Sequence, residues 1–107
     1  MNAETFYQTV KDDLDKLLAL MKAKGAAYSG AEDVLDNFKR NAKRVGVSPF
    51  QIWLVYFNKH IDAITNAIKN NPGYPVEPTE SMEGRINDAI NYLFLLKGLL
   101  VDEDPAQ

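Results

Sequence analysis

Apolar residues recur along the chain at steps of three and four in four separate stretches, which is the spacing of amphipathic helices. In the first stretch Phe6, Val10, Leu14, Leu17, Leu18 and Met21 form one stripe, and Asp12, Asp13, Asp15 and Lys16 fall mostly opposite. The pattern predicts a helix over about residues 4–24, with Gly25 as its stop. Val34, Leu35, Phe38, Ala42 and Val45 predict a second helix over about 32–45. There Glu32 and Asp33 suit the positive end of the helix dipole, and Gly46 ends the element. Ser48-Pro49 reads as an N-cap followed by proline at the first helical position, opening a third helix over about 49–69. Phe50, Trp53, Phe57, Ile61 and Ile64 line one side of it, with Ile52 and Tyr56 beside them.

Residues 70–78 carry three prolines and a glycine and read as the one long loop. Thr79 is then the predicted N-cap of a fourth helix over about 79–100, followed by a frayed tail at 102–107. No strand alternation, internal repeat or low-complexity tract interrupts this pattern. The chain therefore reads as one all-α domain over 1–107, a compact four-helix bundle. The third helix carries more apolar surface than one side of a small bundle needs, with Phe50, Trp53, Tyr56 and Phe57 within two turns. That excess predicts a homodimer or homotetramer.

Composition narrows the function classes. Across 107 residues, 46% are hydrophobic and 25% charged, the balance of a globular domain rather than a disordered one. The net charge of −3 comes with acids and bases mixed along the chain, which argues against a nucleic-acid binder. There is no cysteine, so disulfides, thiolate metal sites and a cysteine nucleophile are excluded, in keeping with a cytoplasmic setting. With a single histidine, a zinc site has little to build on. Met1-Asn2-Ala3-Glu4 lacks the basic and apolar regions of a signal peptide, and the apolar cluster at 93–101 is too short to span a membrane.

The fourth helix holds the candidate chemistry. Met82, Ile86, Ala89, Leu93, Leu96 and Leu100 make its apolar stripe, and Ser81, Arg85, Asp88 and Tyr92 lie on the adjoining side, in line with Leu95 and Leu99. Asp88 is thus expected to be partly buried, and a buried charge needs a partner or a metal. Glu80 lies two turns before it and Asn91 nearly one turn after. Two readings stand side by side: these residues rim a polar site, or Asp88 pairs with Arg85 or Lys59. Glu32, Asp33 and Asp36 form a second acidic group. Glu32 and Asp36 share a face at i, i+4, either as ligands for a cation such as Mg²⁺ or as a solvated helix start. His60 reads as a packed, hydrogen-bonded residue.

The ordered set Lys24-Gly25-x-x-Tyr28-Ser29-Gly30, Asp36-Asn37-Phe38, Gly46-Val47-Ser48-Pro49, Lys59-His60-Ile61, Glu80-Ser81 and Arg85-Ile86-x-Asp88-Ala89-Ile90-Asn91-Tyr92 resembles the MazG-like all-alpha nucleotide pyrophosphohydrolases. Within that superfamily the likeness is to small phage-type proteins associated with nucleotide modification, and it covers roughly residues 24–100. The resemblance implies a helical oligomer. It also implies Mg²⁺ held by carboxylates of two helices, and cleavage of a nucleoside triphosphate to monophosphate and pyrophosphate. It matches Glu80 and Asp88 to the acidic positions of the last helix, with catalytic and metal roles, and the i, i+4 pair Glu32 and Asp36 would then supply further metal ligands. Lys59, Asn91 and Tyr92 match ligand-binding positions, and Arg85 and Tyr28 complete the candidate contacts. The paired E-x-x-E and E-x-x-D motifs of that superfamily are not intact, and Gly84 stands where an acid is usual. The function expected is nucleotide binding with Mg²⁺-dependent hydrolysis. The alternative is a phage protein that sequesters a nucleotide, or inhibits a host factor, without cutting anything.

Overall fold

The computed structural model describes residues 1–28 and 33–106, and the described residues contain four helices and no strand. These are α1 (Ala3–Tyr28), α2 (Asp36–Val45), α3 (Pro49–Asn70) and α4 (Met82–Asp102). The chain divides into two compact units, Met1–Val34 and Leu35–Gln107. The all-helical class read from the periodicity holds. Among the described residues, no helix is long and apolar enough to cross a membrane.

In the first unit Asn2 caps α1, its Oδ1 accepting from the Thr5 amide at 2.8 Å. Gly25 does not end the helix, which runs to Tyr28 through Ala26 and Ala27. Alanine has the highest helix propensity, and two alanines offset the entropic cost of one glycine. Ser29 to Glu32, including the expected start of the second helix, lie outside the described residues.

The second unit is built on α2, α3 and α4, with α3 in the middle, packed against both others. Leu35, Phe38, Trp53 and Leu99 form the buried core, and Phe50, Ile52, Tyr56, Phe57, Tyr92, Leu95 and Leu96 pack around it. The aromatic surplus of α3 is therefore consumed largely inside the unit. Trp53 and Phe57 stack at 4.6 Å, and the Trp53 Nε1–H donates to the Tyr92 carbonyl at 2.6 Å. Phe38 of α2 meets Tyr56 and Tyr92 at 6.1 Å each. Leu35 packs over Gly98 of α4, where a Cβ would lie 3.4 Å from a Leu35 methyl, an ordinary contact. Lys39 ties α2 to the end of α4 by an ion pair with Asp102 at 2.9 Å.

The ends of these helices follow local chemistry. Gly46 closes α2 in the left-handed region at φ 76°, where an L side chain is strained, and donates to the Ala42 carbonyl. Ser48 caps α3 as expected. It does so through a full capping box, with Ser48 Oγ accepting from the Gln51 amide and Gln51 Oε1 accepting from the Ser48 amide. The cap of α4 is Ser81 rather than Thr79, its Oγ accepting from the Gly84 amide at 2.9 Å. Thr79 is occupied elsewhere: its hydroxyl and amide both donate to Glu77. Past α4, Asp104 accepts from the Ala106 amide at 2.8 Å, so part of the tail makes a turn of its own.

Candidate functional site

The site forms where the middle of α3, the first half of α4 and the end of the loop between them meet. Helical spacing sets α4's contribution, since Arg85, Asp88 and Tyr92 follow one another at three and four residues along one side. The long guanidinium of Arg85 reaches back over the first turn to the loop. Its Nε donates to Glu77 Oε2 at 3.3 Å and lies 3.1 Å from Glu80 Oε1 in an ion pair. The inner pair is well shielded from water, with Arg85 12% and Glu77 7% exposed, whereas Glu80 is 39% exposed.

Arg85 also turns its Nη1 to His60 Nδ1, 3.3 Å away. A guanidinium only donates, so Nδ1 is the acceptor, the ring proton sits on Nε2 and the imidazole is neutral. His60 is 7% exposed and its ring packs against Tyr92 at 4.7 Å. Burial holds its pKa below the ordinary 6.5; Asp88 pulls the other way, Arg85 and Lys59 add to the depression, and Glu80 opposes it. The histidine is packed and hydrogen-bonded, as its position on α3 implied.

The neighbouring groups respond to the same surroundings. Burial alone would raise the Glu77 carboxyl. Hydrogen bonds from the Thr79 side chain and amide, together with the charge and hydrogen bond of Arg85, outweigh it and hold Glu77 below its ordinary 4.5. Burial raises the Tyr92 phenol, with Tyr56 and Asp88 adding to the effect. Asp88 is half-buried, in keeping with its place on the helix.

The candidates from the sequence separate into two groups. Lys59, Glu80, Arg85, Asp88 and Tyr92 all neighbour His60, by charge or by ring contact. Asn91 is half-buried on the adjoining part of α4. Asp36 heads α2 and pairs with Arg40 at 3.6 Å, both well exposed. Glu32 and the side chain of Tyr28 lie outside the described residues. Among the described residues, no three His, Cys, Asp or Glu side chains gather as a metal-holding group. In this arrangement Glu80 pairs with Arg85.

Glu77 is the partner that the spacing missed. It lies between Val76 and Pro78 in an irregular loop, so no periodicity links it to Arg85, eight residues on. The one available signal was a lone carboxylate in an otherwise uncharged stretch. Gly84, where the resemblance leads one to look for an acid, lies beneath the α4 cap, and a Cβ there would meet Ser81 Oγ at 3.0 Å. Comparison with protein-family models, curated proteins and solved structures found no match.

Proposed function

We propose that the chain is a small nucleotide-binding protein of the MazG-like, phage type, which holds its ligand beside His60 without depending on hydrolysis. One observation carries the reading. Arg85 and Tyr92, matched through the resemblance to nucleotide enzymes or counted among its candidate contacts, touch the buried His60 imidazole, and the charges of Asp88, Lys59 and Glu80 act on it. Lys59 and Arg85 supply positive charge for a phosphate group. Glu80, the more exposed of the two carboxylates on Arg85, is the one that a phosphate can replace at the guanidinium. The Tyr92 ring offers a face and a hydroxyl for orientation.

Binding is favoured over cleavage because Arg85 already neutralises Glu80, the acid to which a metal role is assigned. The hydrolytic reading has one observation behind it: the charges of Glu80 and Asp88 both act at His60.

A panel of nucleoside mono-, di- and triphosphates, titrated calorimetrically with and without Mg²⁺ and assayed for pyrophosphate release, tests the proposal. Saturable binding of a nucleotide without release is the expected result. Mg²⁺-dependent release abolished by Asp88→Asn would move the assignment to the hydrolase. No binding across the panel would sink both readings.

A further inference from the structure

Resting on the nucleotide reading above, we propose that Glu77 determines which phosphate ester the site accepts, favouring a monophosphate over a triphosphate. Arg85 meets two carboxylates of different standing. Glu80 lies just ahead of α4 and is 39% exposed, so an incoming anion can take its place. Glu77 is 7% exposed and is tied down on both oxygens. Its Oε1 accepts from the Thr79 hydroxyl at 3.0 Å and from the Thr79 amide at 3.3 Å, and its Oε2 accepts from Arg85 Nε at 3.3 Å. Pro78 follows it and restricts the backbone that carries it. Against the opposing effect of burial, the Thr79 hydrogen bonds and Arg85 hold its pKa below 4.5, so Glu77 stays ionised at neutral pH. It is a fixed counter-charge on the guanidinium, whereas Glu80 is an exchangeable one.

The charges gathered here decide what can enter. Lys59 and Arg85 stand against Glu77, Glu80 and Asp88, which leaves one negative charge in excess. His60 adds none while its Nδ1 accepts from Arg85. When a ligand displaces Glu80 into water, the remaining side chains balance. Into that setting a single phosphoryl group brings about −1.5 to −2 charges and can replace Glu80 beside the guanidinium. Each further phosphoryl group adds negative charge, which must be met by the same cations, Lys59 and Arg85. Glu77 has already taken up much of the attraction of Arg85, and its burial shields it from screening by salt more than a surface charge would be. A guanidinium without this counter-charge would rank the ligands the other way, because attraction grows with the charge of the anion.

Calorimetric titration of the full chain without Mg²⁺ tests the proposal, using the mono- and triphosphates of adenosine, guanosine, cytidine and uridine. For a nucleoside that binds, the monophosphate should bind at least about tenfold more tightly than the triphosphate, since like charges at a contact discriminate strongly. Glu77→Gln removes the charge and keeps an oxygen for Thr79, and there the ratio should fall at least about tenfold. Glu80→Gln should raise the affinity for both ligands by a similar factor and keep the ratio, because it removes only a competitor for Arg85. A triphosphate bound as tightly as the monophosphate, or a ratio unchanged in Glu77→Gln, would overturn the inference and leave the nucleotide reading standing. No binding by any of these ligands would overturn both. Should Glu77→Gln fail to fold, salt replaces it as the probe. Between about 0.01 M and about 1 M ionic strength the screening length drops from about 30 Å to about 3 Å, and the parent's preference for the monophosphate should shrink. A preference that salt does not move is not one of charge and would refute the role of Glu77.

Discussion

His60 shows how a single side chain can set the pH response of its surroundings. Its Nδ1 accepts from Arg85, and a protonated ring has no lone pair there and adds a second cation beside the guanidinium. Burial lowers its folded pKa below 6.5. Between the folded value and 6.5 the unfolded chain therefore holds a proton that the folded chain lacks, and stability rises with pH. The contribution is complete above pH 6.5 and is lost as pH falls below it. For one proton the slope is at most about 1.4 kcal/mol per pH unit. His60→Gln keeps an acceptor beside Arg85 and removes the titration. Thermal melts from pH 7.5 down to 5.5 should fall more steeply for the parent than for this variant, and equal slopes would contradict the assignment. The same residue scale shows what a spacing argument leaves out. Arg85 pairs with Glu77 and Glu80, because a long side chain reaches carboxylates beyond those on its own helix.

At the scale of the element, α3 carries the heaviest duty, supplying Trp53 and Tyr56 to the core and Lys59 and His60 to the site. Its start is fixed by Ser48, Pro49 and Gln51. Pro49 has its φ set for a helix and no amide hydrogen to leave unpaired, while the capping box satisfies two amides reciprocally. Ser48→Ala removes the acceptor for the Gln51 amide and should cost about 0.5–2 kcal/mol in chemical denaturation, with the helical signal of the folded state unchanged. A loss below about 0.3 kcal/mol would mean that water replaces the hydroxyl without penalty. Helix α4 shows the opposite case, since its start could not be placed by residue type alone. Thr79 and Ser81 are both good caps, and Glu77 decides between them by engaging Thr79.

At the scale of the whole chain, the second unit contains its own core and its own candidate site. Leu35, Phe38, Trp53 and Leu99, with the residues packed around them, all lie within Leu35–Gln107. A fragment covering 35–107 should therefore unfold cooperatively, and Trp53, the sole tryptophan and 6% exposed in the core, reports on it. The expected outcome is a sigmoidal red shift of its fluorescence in urea, coincident with loss of the helical circular dichroism signal. A broad, non-coincident change would show that this core does not hold by itself. Of the apolar stripe read along α1, Leu17 is buried, whereas Phe6, Val10, Leu14 and Leu18 are exposed.

The amino-acid sequence by itself determined what short-range physics controls. Periodicity gave the helical class, Gly46 and Ser48-Pro49 gave two boundaries, and the three- and four-residue steps from Arg85 to Tyr92 put the candidate chemistry on one side of α4. Each depends on hydrogen bonds and side-chain directions within a few residues, so each is legible from neighbours alone. The tertiary structure decided which groups meet. The loop carboxylate Glu77 closes on Arg85 from an irregular segment, His60 of α3 becomes the centre around which the α4 candidates gather, and Glu80 pairs with a guanidinium. It also decided which apolar line of α3 stays exposed, since Trp53 and Leu54 differ little in hydrophobicity and the packing of α2 and α4 buries only the first. Charge pairing and burial are set by distance in space, and the chain does not encode that distance at any one position.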